Sequence, residues 1–268
     1  MSLRITTNVV AFNAYRNLNQ VSSAVSKSME RLSSGYRINR GADDAAGLGI
    51  SETMRAQIRG LATAQRNIQD GISMVQTAEG NLHQVHSMLQ RIRELAVQYK
   101  NGTMSDANKA AIATEVEELK KEIERVGAQA EFNNIKLLSS TAAVTFQVGA
   151  NDGETIAVNL ISLNSALGAN WDTLSLDSAS VLADIDAAIS AVSAQRSTFG
   201  AVQNRLEHSL AVTAAYQENL TAAESRIRDV DMAEEMVNLT KNQILQQAGV
   251  AMLAQANQAP QAVLALLR

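Results

Sequence analysis

Met54, Leu61, Ile68, Val75, Leu82, Leu89 and Ala96 stand seven residues apart. Three positions after each of the later ones come Ala64, Gly71, Ala78, Val85, Ile92 and Tyr99. A pair of positions repeating every seven residues over about six repeats is the seam of a supercoiled helix. The spacing predicts a helix from Asp44 to Lys100, roughly 85 Å long at the helical rise per residue. Asp43 is its expected N-cap, and Asn101-Gly102 closes it with a turn signal. A helix of that length cannot bury its stripe alone. It requires long partners.

The rest of the chain supplies them. Ser105 or Asp106 caps a second helix whose Ile112, Val116, Leu119, Ile123, Val126 and Ala130 step by four and three. Its acids and lysines read as a solvated face with i,i+4 pairs such as Glu117–Lys121. Val144, Phe146 and Val148 alternate with polar residues, as do Ile156, Val158 and Leu160, which predicts a β-hairpin. A third long helix starts near Ser178 and carries Ile185, Val192, Phe199, Leu206, Thr213, Leu220 and Ile227 seven apart. Its companion series, through Tyr216, Ala223 and Val230, continues into Val237, Ile244 and Ala251. Pro260 ends or kinks that run. Near the N-terminus, Leu18, Val21, Val25, Met29 and Leu32 fit a helix that Gly35 breaks. The expected class is mainly α: long antiparallel coiled-coil-like helices forming a rod, a small β-hairpin at its tip, and paired terminal helices. The expected domains are an N-terminal arm at 1–43, a rod at 44–228 with the hairpin region at about 141–177, and a C-terminal arm at 229–268.

Composition narrows the chemistry. The chain has no Cys and three His, so thiolate chemistry, disulfides and cysteine metal sites are excluded, and general acid–base catalysis is disfavoured. No phosphate loop, HExxH, GxGxxG or GxSxG occurs. His83 and His86 share a helix face without an obvious third ligand. Asp229, Asp231, Glu234 and Glu235 lack the spacing of a calcium loop and read as helix N-terminal acids. A net charge of −4 gives no nucleic-acid footprint. No apolar run is long enough to span a membrane, and Val9 to Phe12 is too short for a secretory signal, so composition alone reads as cytosolic. Three glycosylation sequons occur, at Asn101, Asn219 and Asn238.

The ends of the chain point to assembly. The first forty residues carry six basic side chains against Glu30; the last forty carry Lys241 and Arg268 against four acids. Opposite charge favours the two ends lying side by side. Each arm has a narrow apolar stripe to offset an ordering cost of about 1–2 kcal/mol per residue. Arms of this kind fold on copies of themselves, and self-complementary ends without closing symmetry build helical filaments. Periodicity leaves one alternative open, that the arms complete an intramolecular bundle.

Several strings are more specific than a coiled coil. Arg31-Leu-Ser-Ser-Gly-Tyr-Arg-Ile-Asn39 with Asp43-Asp-Ala-Ala-Gly-Leu48 resembles the N-terminal signature of bacterial flagellin. Leu89-Gln-Arg-Ile-Arg-Glu-Leu-Ala-Val-Gln98 resembles the end of that family's first long helix. Ser225-Arg-Ile-Arg-Asp-Val-Asp-Met-Ala-Glu234, Ile244-Leu-Gln-Gln-Ala-Gly249 and Ala254-Gln-Ala-Asn257 resemble its C-terminal signature. The likeness covers 1–140 and about 178–268. Gly41, Gly49 and Asn134 depart from the usual residues.

The resemblance implies a structural subunit of the flagellar filament, without catalysis or cofactor, in a short form lacking large outer domains. It implies export of the unfolded chain to the extracellular flagellum without a cleaved signal peptide, which replaces the cytosolic reading. Implied partners are further copies of the chain, an export chaperone on the C-terminal arm, and junction and cap proteins. It also implies an epitope for the flagellin-sensing Toll-like receptor of vertebrates at Arg91, Leu95 and Glu115. Polymerisation is expected to rest on Ile5, Val9, Phe12, Leu18, Val25 and Leu32 at one end, and on Val237, Ile244, Leu245, Ala251 and Leu253 at the other. A hook–filament junction protein of the same system is the alternative within this class. A soluble metal-dependent enzyme using the His pair and the acidic clusters is the alternative outside it.

Overall fold

The computed structural model describes residues 8–168, 171 and 174–266, with side chains described up to 258. The elements in chain order are α1 (Val9–Ser34), α2 (Ala45–Tyr99), α3 (Asp106–Gln129), β1 (Glu131–Phe132), β2 (Ile135–Lys136), β3 (Ala143–Gln147), β4 (Thr155–Asn159), α4 (Leu163–Leu167), α5 (Val181–Arg228) and α6 (Met232–Leu266). The class is mainly α, as the periodicity predicts. Two compact units form: 1–56 with 219–268, and 57–218.

The core of the second unit follows the heptads. Leu61, Ile68, Val75, Leu82, Leu89 and Ala96 are buried along α2, together with Ala64, Ala78, Val85 and Ile92. From α5 come Ile185, Ala188, Val192, Phe199 and Leu206, and from α3 Ile112, Val116 and Ile123. The Ser105 hydroxyl caps α3 by accepting the Asn108 N–H at 3.3 Å. The acid–lysine face of α3 differs from expectation. Glu117 pairs with Lys120, and Glu118 with Lys121, both at i,i+3. Lys120 occupies the buried stripe with its residue only 6 % exposed, its aliphatic stem covering apolar surface.

The predicted hairpin is β3–β4, antiparallel, with Val144 opposite Val158 and Phe146 opposite Ile156. Two glycines of α2 seat it. A Cβ on Gly71 would stand 3.3 Å from the Phe146 ring, and one on Gly60 would stand 3.0 Å from the Ala150 Cβ. Gly71 thus interrupts the apolar series because the ring fills its place. The Asn67 amide donates to the Gln147 carbonyl at 3.3 Å, tying the end of the hairpin to α2, and the Thr213 hydroxyl of α5, which donates to Ser209 O at 2.7 Å, lies 3.3 Å from Val148 O. A second, shorter hairpin joins β1 and β2 through Asn133 and Asn134, at φ 47° and 64°. Asparagine tolerates this left-handed region, which two-residue hairpins require. Trp171, Leu174 and Leu176 are buried in the same core.

In the first unit the chain crosses from α1 to α2 beside its crossing from α5 to α6. Gly35, at φ 76°, ends α1 and returns its N–H to the Arg31 carbonyl. The two crossings then pair like short strands: Arg37 N–H donates to Arg228 O at 2.7 Å, and Val230 N–H to Gly35 O at 3.0 Å. The Arg228 guanidinium lies 4.9 Å from the Tyr36 ring centre and donates to Glu52 at 2.7 Å. Ile38 and Ser51 are buried here, and the Ser51 hydroxyl donates to Glu224. Asp44, not Asp43, caps α2, accepting the Gly47 N–H at 2.8 Å. Asp43 instead accepts the N–H groups of Asn39 and Arg40 and pairs with Lys27 at 2.6 Å. Asp231 caps α6 through the N–H groups of Ala233 and Glu234, and Glu234 and Glu235 stand in its first turn, whereas Asp229 accepts from the Ser225 hydroxyl at the end of α5. α6 continues through Pro260 to Leu266; the proline does not end it.

The Lys27 ammonium and the amides around Asp43 hold its carboxyl below its ordinary 3.8, at about 2. A depressed carboxylate adds stability that is complete above its ordinary pKa and is lost as pH falls through the folded one. Helix content of the wild-type chain is therefore expected to fall in part between pH 3.8 and about 2 through this group. In an acid titration followed by circular dichroism, Asp43→Asn flattens that portion of the curve. A variant that titrates like the parent removes Asp43 from the account.

Candidate functional site: the terminal helix pair

α1 and α6 run antiparallel against each other. Asn8 Nδ2 donates to Ala256 O at 2.8 Å at one end, and Arg31 Nη1 meets Glu235 Oε2 at 3.4 Å at the other. Between them, a Cβ on Gly249 would stand 3.3 Å from the Leu18 Cδ1. Among the buried and half-buried residues of α1, Ala11, Ala14, Leu18, Val21, Val25, Ser28 and Leu32 are spaced by three and four. Glu235, Leu239, Asn242, Gln246, Gly249, Leu253 and Ala256 repeat the pattern on α6. Both are a/d seams. The opposite charges of the two ends meet across this seam in the Arg31–Glu235 pair, where Glu235 is buried.

The seam does not use the most apolar side of α6. With Leu239 and Asn242 at a and d, Val237, Ile244 and Ala251 fall at f, directly opposite the seam. Val237 is 68 % exposed and Ile244 61 %. Met236, Leu245, Val250 and Met252 flank them and are also exposed. On α1, Val9, Val10, Phe12, Tyr15 and Met29 face outward, with Phe12 69 % exposed. Ser28, not Met29, takes the inward place. Exposed apolar residues clustered on two neighbouring helices mark surfaces that another macromolecule covers.

The residues expected to drive assembly therefore divide. Leu18, Val25, Leu32 and Leu253 are half-buried and hold α1 to α6. Val9, Phe12, Val237, Ile244, Leu245 and Ala251 are exposed and point elsewhere. Ile5 lies outside the described residues. The sequence pattern missed Met236, Val250 and Met252, which are also exposed on α6. Next in sequence to Val237 and Ala251, they take e and g positions that flank the seam on Leu239 and Leu253.

The other candidate positions lie in the second unit. Arg91 donates through Nε and Nη2 to Glu115 Oε1 at 3.1 and 3.0 Å, and through Nη1 to Glu94. Both Arg91 and Glu115 are exposed, and the carboxylates raise the Arg91 pKa above its ordinary value. Leu95 is apart from them in exposure: it is buried at 2 % within the core. His86 Nε2 contacts the Gln90 side-chain nitrogen, while His83 is exposed. Among the described residues no three His, Asp or Glu side chains gather as a metal-ligand set, and no helix is long and apolar enough to cross a membrane.

Two family models match the chain. The bacterial flagellin N-terminal helical region matches residues 5–143, and the bacterial flagellin C-terminal helical region matches residues 182–267. A flagellin of Halalkalibacterium halodurans is 54 % identical over 98 % of this chain and 99 % of its own length. A flagellin of Bacillus subtilis is 49 % identical over 99 % of this chain and 100 % of its own. Among solved structures, the crystal structure of Bacillus cereus flagellin is similar with a TM-score of 0.50 at 30 % identity, covering 59 % of this chain and 94 % of that one. The two models fall on the two arms and the long helices, with the β3–β4 hairpin and α4 in the interval between them. The chain belongs to the bacterial flagellin family and is a structural subunit of the flagellar filament.

Proposed function

We propose that the filament contacts of this subunit are made by the outward faces of α1 and α6, with Val9, Phe12, Val237, Ile244, Leu245 and Ala251 packing on the same helices of neighbouring copies. The observation that carries this reading is the placement of apolar side chains on α6. Val237, Ile244 and Ala251 stand opposite α1, while Asn242, Gln246 and Gly249 share the inner face with Leu239 and Leu253. Polar residues at a and d cost pair stability but set register. Leu18, Val25, Leu32 and Leu253 then hold the pair, and Ser28, Glu235, Asn242 and Gln246 fix which part of α1 lies against which part of α6. A fixed register keeps the two outer stripes aligned for the next subunit. The chain acts without catalysis or cofactor. It reaches the extracellular flagellum by export without a cleaved signal peptide, its C-terminal arm held beforehand by a chaperone that covers the same outer face of α6. Junction and cap proteins meet the ends of the polymer.

The receptor reading is narrower than the three residues first suggest. Arg91 and Glu115 form an accessible charged pair, whereas the buried Leu95 supports the helix beneath them. A host Toll-like receptor would engage the pair and not Leu95.

Three outcomes test these assignments. Val237→Asp with Ile244→Asp leaves both units folded, because exposed substitutions typically change stability by about 0.5 kcal/mol or less. It abolishes filaments in electron microscopy after salt-induced assembly; normal filaments from the double variant would refute the outer-face assignment. Gly249→Leu forces Leu18 out of its seat and costs the helix pair about 1–3 kcal/mol. Amide exchange then accelerates in α1 and α6 but not in residues 61–96; equal exchange in parent and variant removes Gly249 from the seam. Arg91→Ala with Glu115→Ala lowers receptor-reporter signalling while circular dichroism is unchanged, and undiminished signalling discards the receptor assignment.

A further inference from the structure

Asn101 is the chain's only asparagine followed by glycine. It lies in the exposed turn between α2 and α3. The surrounding hydrogen bonds fix its geometry: Asn101 N–H donates to Gln98 O at 3.1 Å, and Met104 N–H to Asn101 O at 3.2 Å. The Thr103 N–H donates to the side-chain oxygen, Oδ1, at 3.2 Å. Among the described residues, neither the Gly102 N–H nor the Asn101 Nδ2 has a hydrogen-bond partner. The nitrogen next to the side-chain amide is thus uncommitted, and no side chain on Gly102 shields it. The Thr103 N–H points at the oxygen on which negative charge develops if the amide carbon becomes tetrahedral.

We propose that Asn101 is a site of spontaneous covalent modification, its side-chain amide converting through a cyclic imide to aspartate and isoaspartate. The Gly102 nitrogen attacks Cγ of Asn101 and forms the ring bond. The Cγ–Nδ2 bond breaks, and Nδ2 leaves as ammonia, taking up the proton that Gly102 loses. Water then adds to one of the two imide carbonyls and opens the ring. Attack at one carbonyl restores the ordinary backbone with an aspartate. Attack at the other leaves the chain running through the former side chain, one methylene longer. One water is consumed, one ammonia is released, and no oxidant or reductant takes part. The product adds one negative charge beside Lys100, whose Nζ donates to Ala179 O at 3.1 Å, and just before the Ser105 cap of α3. Asparagines within helices are protected from this reaction. Asn67 and Asn81 lie inside α2, where the following N–H is held in the helical ladder.

The test uses the full purified chain, incubated for days at mildly alkaline pH. Peptide mass spectrometry reads the amide-to-acid mass gain, and an isoaspartate-specific methyltransferase labels the branched product. Both signals are expected to accumulate in the peptide containing Asn101 and to stay at background in the peptides containing Asn67 and Asn81. Gly102→Ala loses both signals. That variant folds normally, because Gly102 is not in the left-handed region and a Cβ there meets nothing within 4 Å. Conversion at Asn101 no faster than at Asn81, or undiminished conversion in Gly102→Ala, overturns the proposal.

Discussion

Leu18 rests where Gly249 has no side chain, and that close approach brings α1 against a particular side of α6. The side so chosen carries Asn242, Gln246 and Glu235 as well as Leu239 and Leu253. A helix that turns its amides and a carboxylate inward must turn its remaining apolar residues outward, because its circumference is fixed. The exposed valines, isoleucine and methionines of α6 follow from this one orientation. In a flagellin those residues are the material from which a polymer contact can be built, and the hydrophobic effect supplies its strength once neighbours exclude water.

Much of the second unit was legible from spacing. The heptads in α2 and α5 give the buried side chains almost residue by residue, since long helices packed along one another repeat one contact many times. The hairpin was legible from alternation, whereas its register came from the structure. What escaped was decided by contacts that no single-helix pattern contains. Gly71 reads as a weak seam position until the Phe146 ring occupies it. Lys120 reads as solvated until its stem is needed to complete the stripe between Val116 and Ile123. The β1–β2 hairpin is only two residues on each strand, too short for alternation to register, although the Asn133-Asn134 pair is a turn signal.

The arms show the limit of periodicity more sharply. The series running from Tyr216 through Val230 into Val237, Ile244 and Ala251 is unbroken in the sequence, but the backbone leaves the helix at Asp229 and re-enters at Met232. Rotation is lost across that gap, so residues in step with α5 are not on the inner face of α6. The charge asymmetry of the two ends was the better guide to their pairing. Their division into an inner and an outer set required the position of α1.

The inner face of the pair has a consequence for how the ends come apart. The α1 side of the contact is mainly apolar, but on the α6 side water can take over the polar groups of Glu235, Asn242 and Gln246 when the helices part. The outer stripe is already wet in the lone subunit and gains only when something dry arrives. Such a molecule holds its ends together less firmly while alone than once its outer stripe is covered.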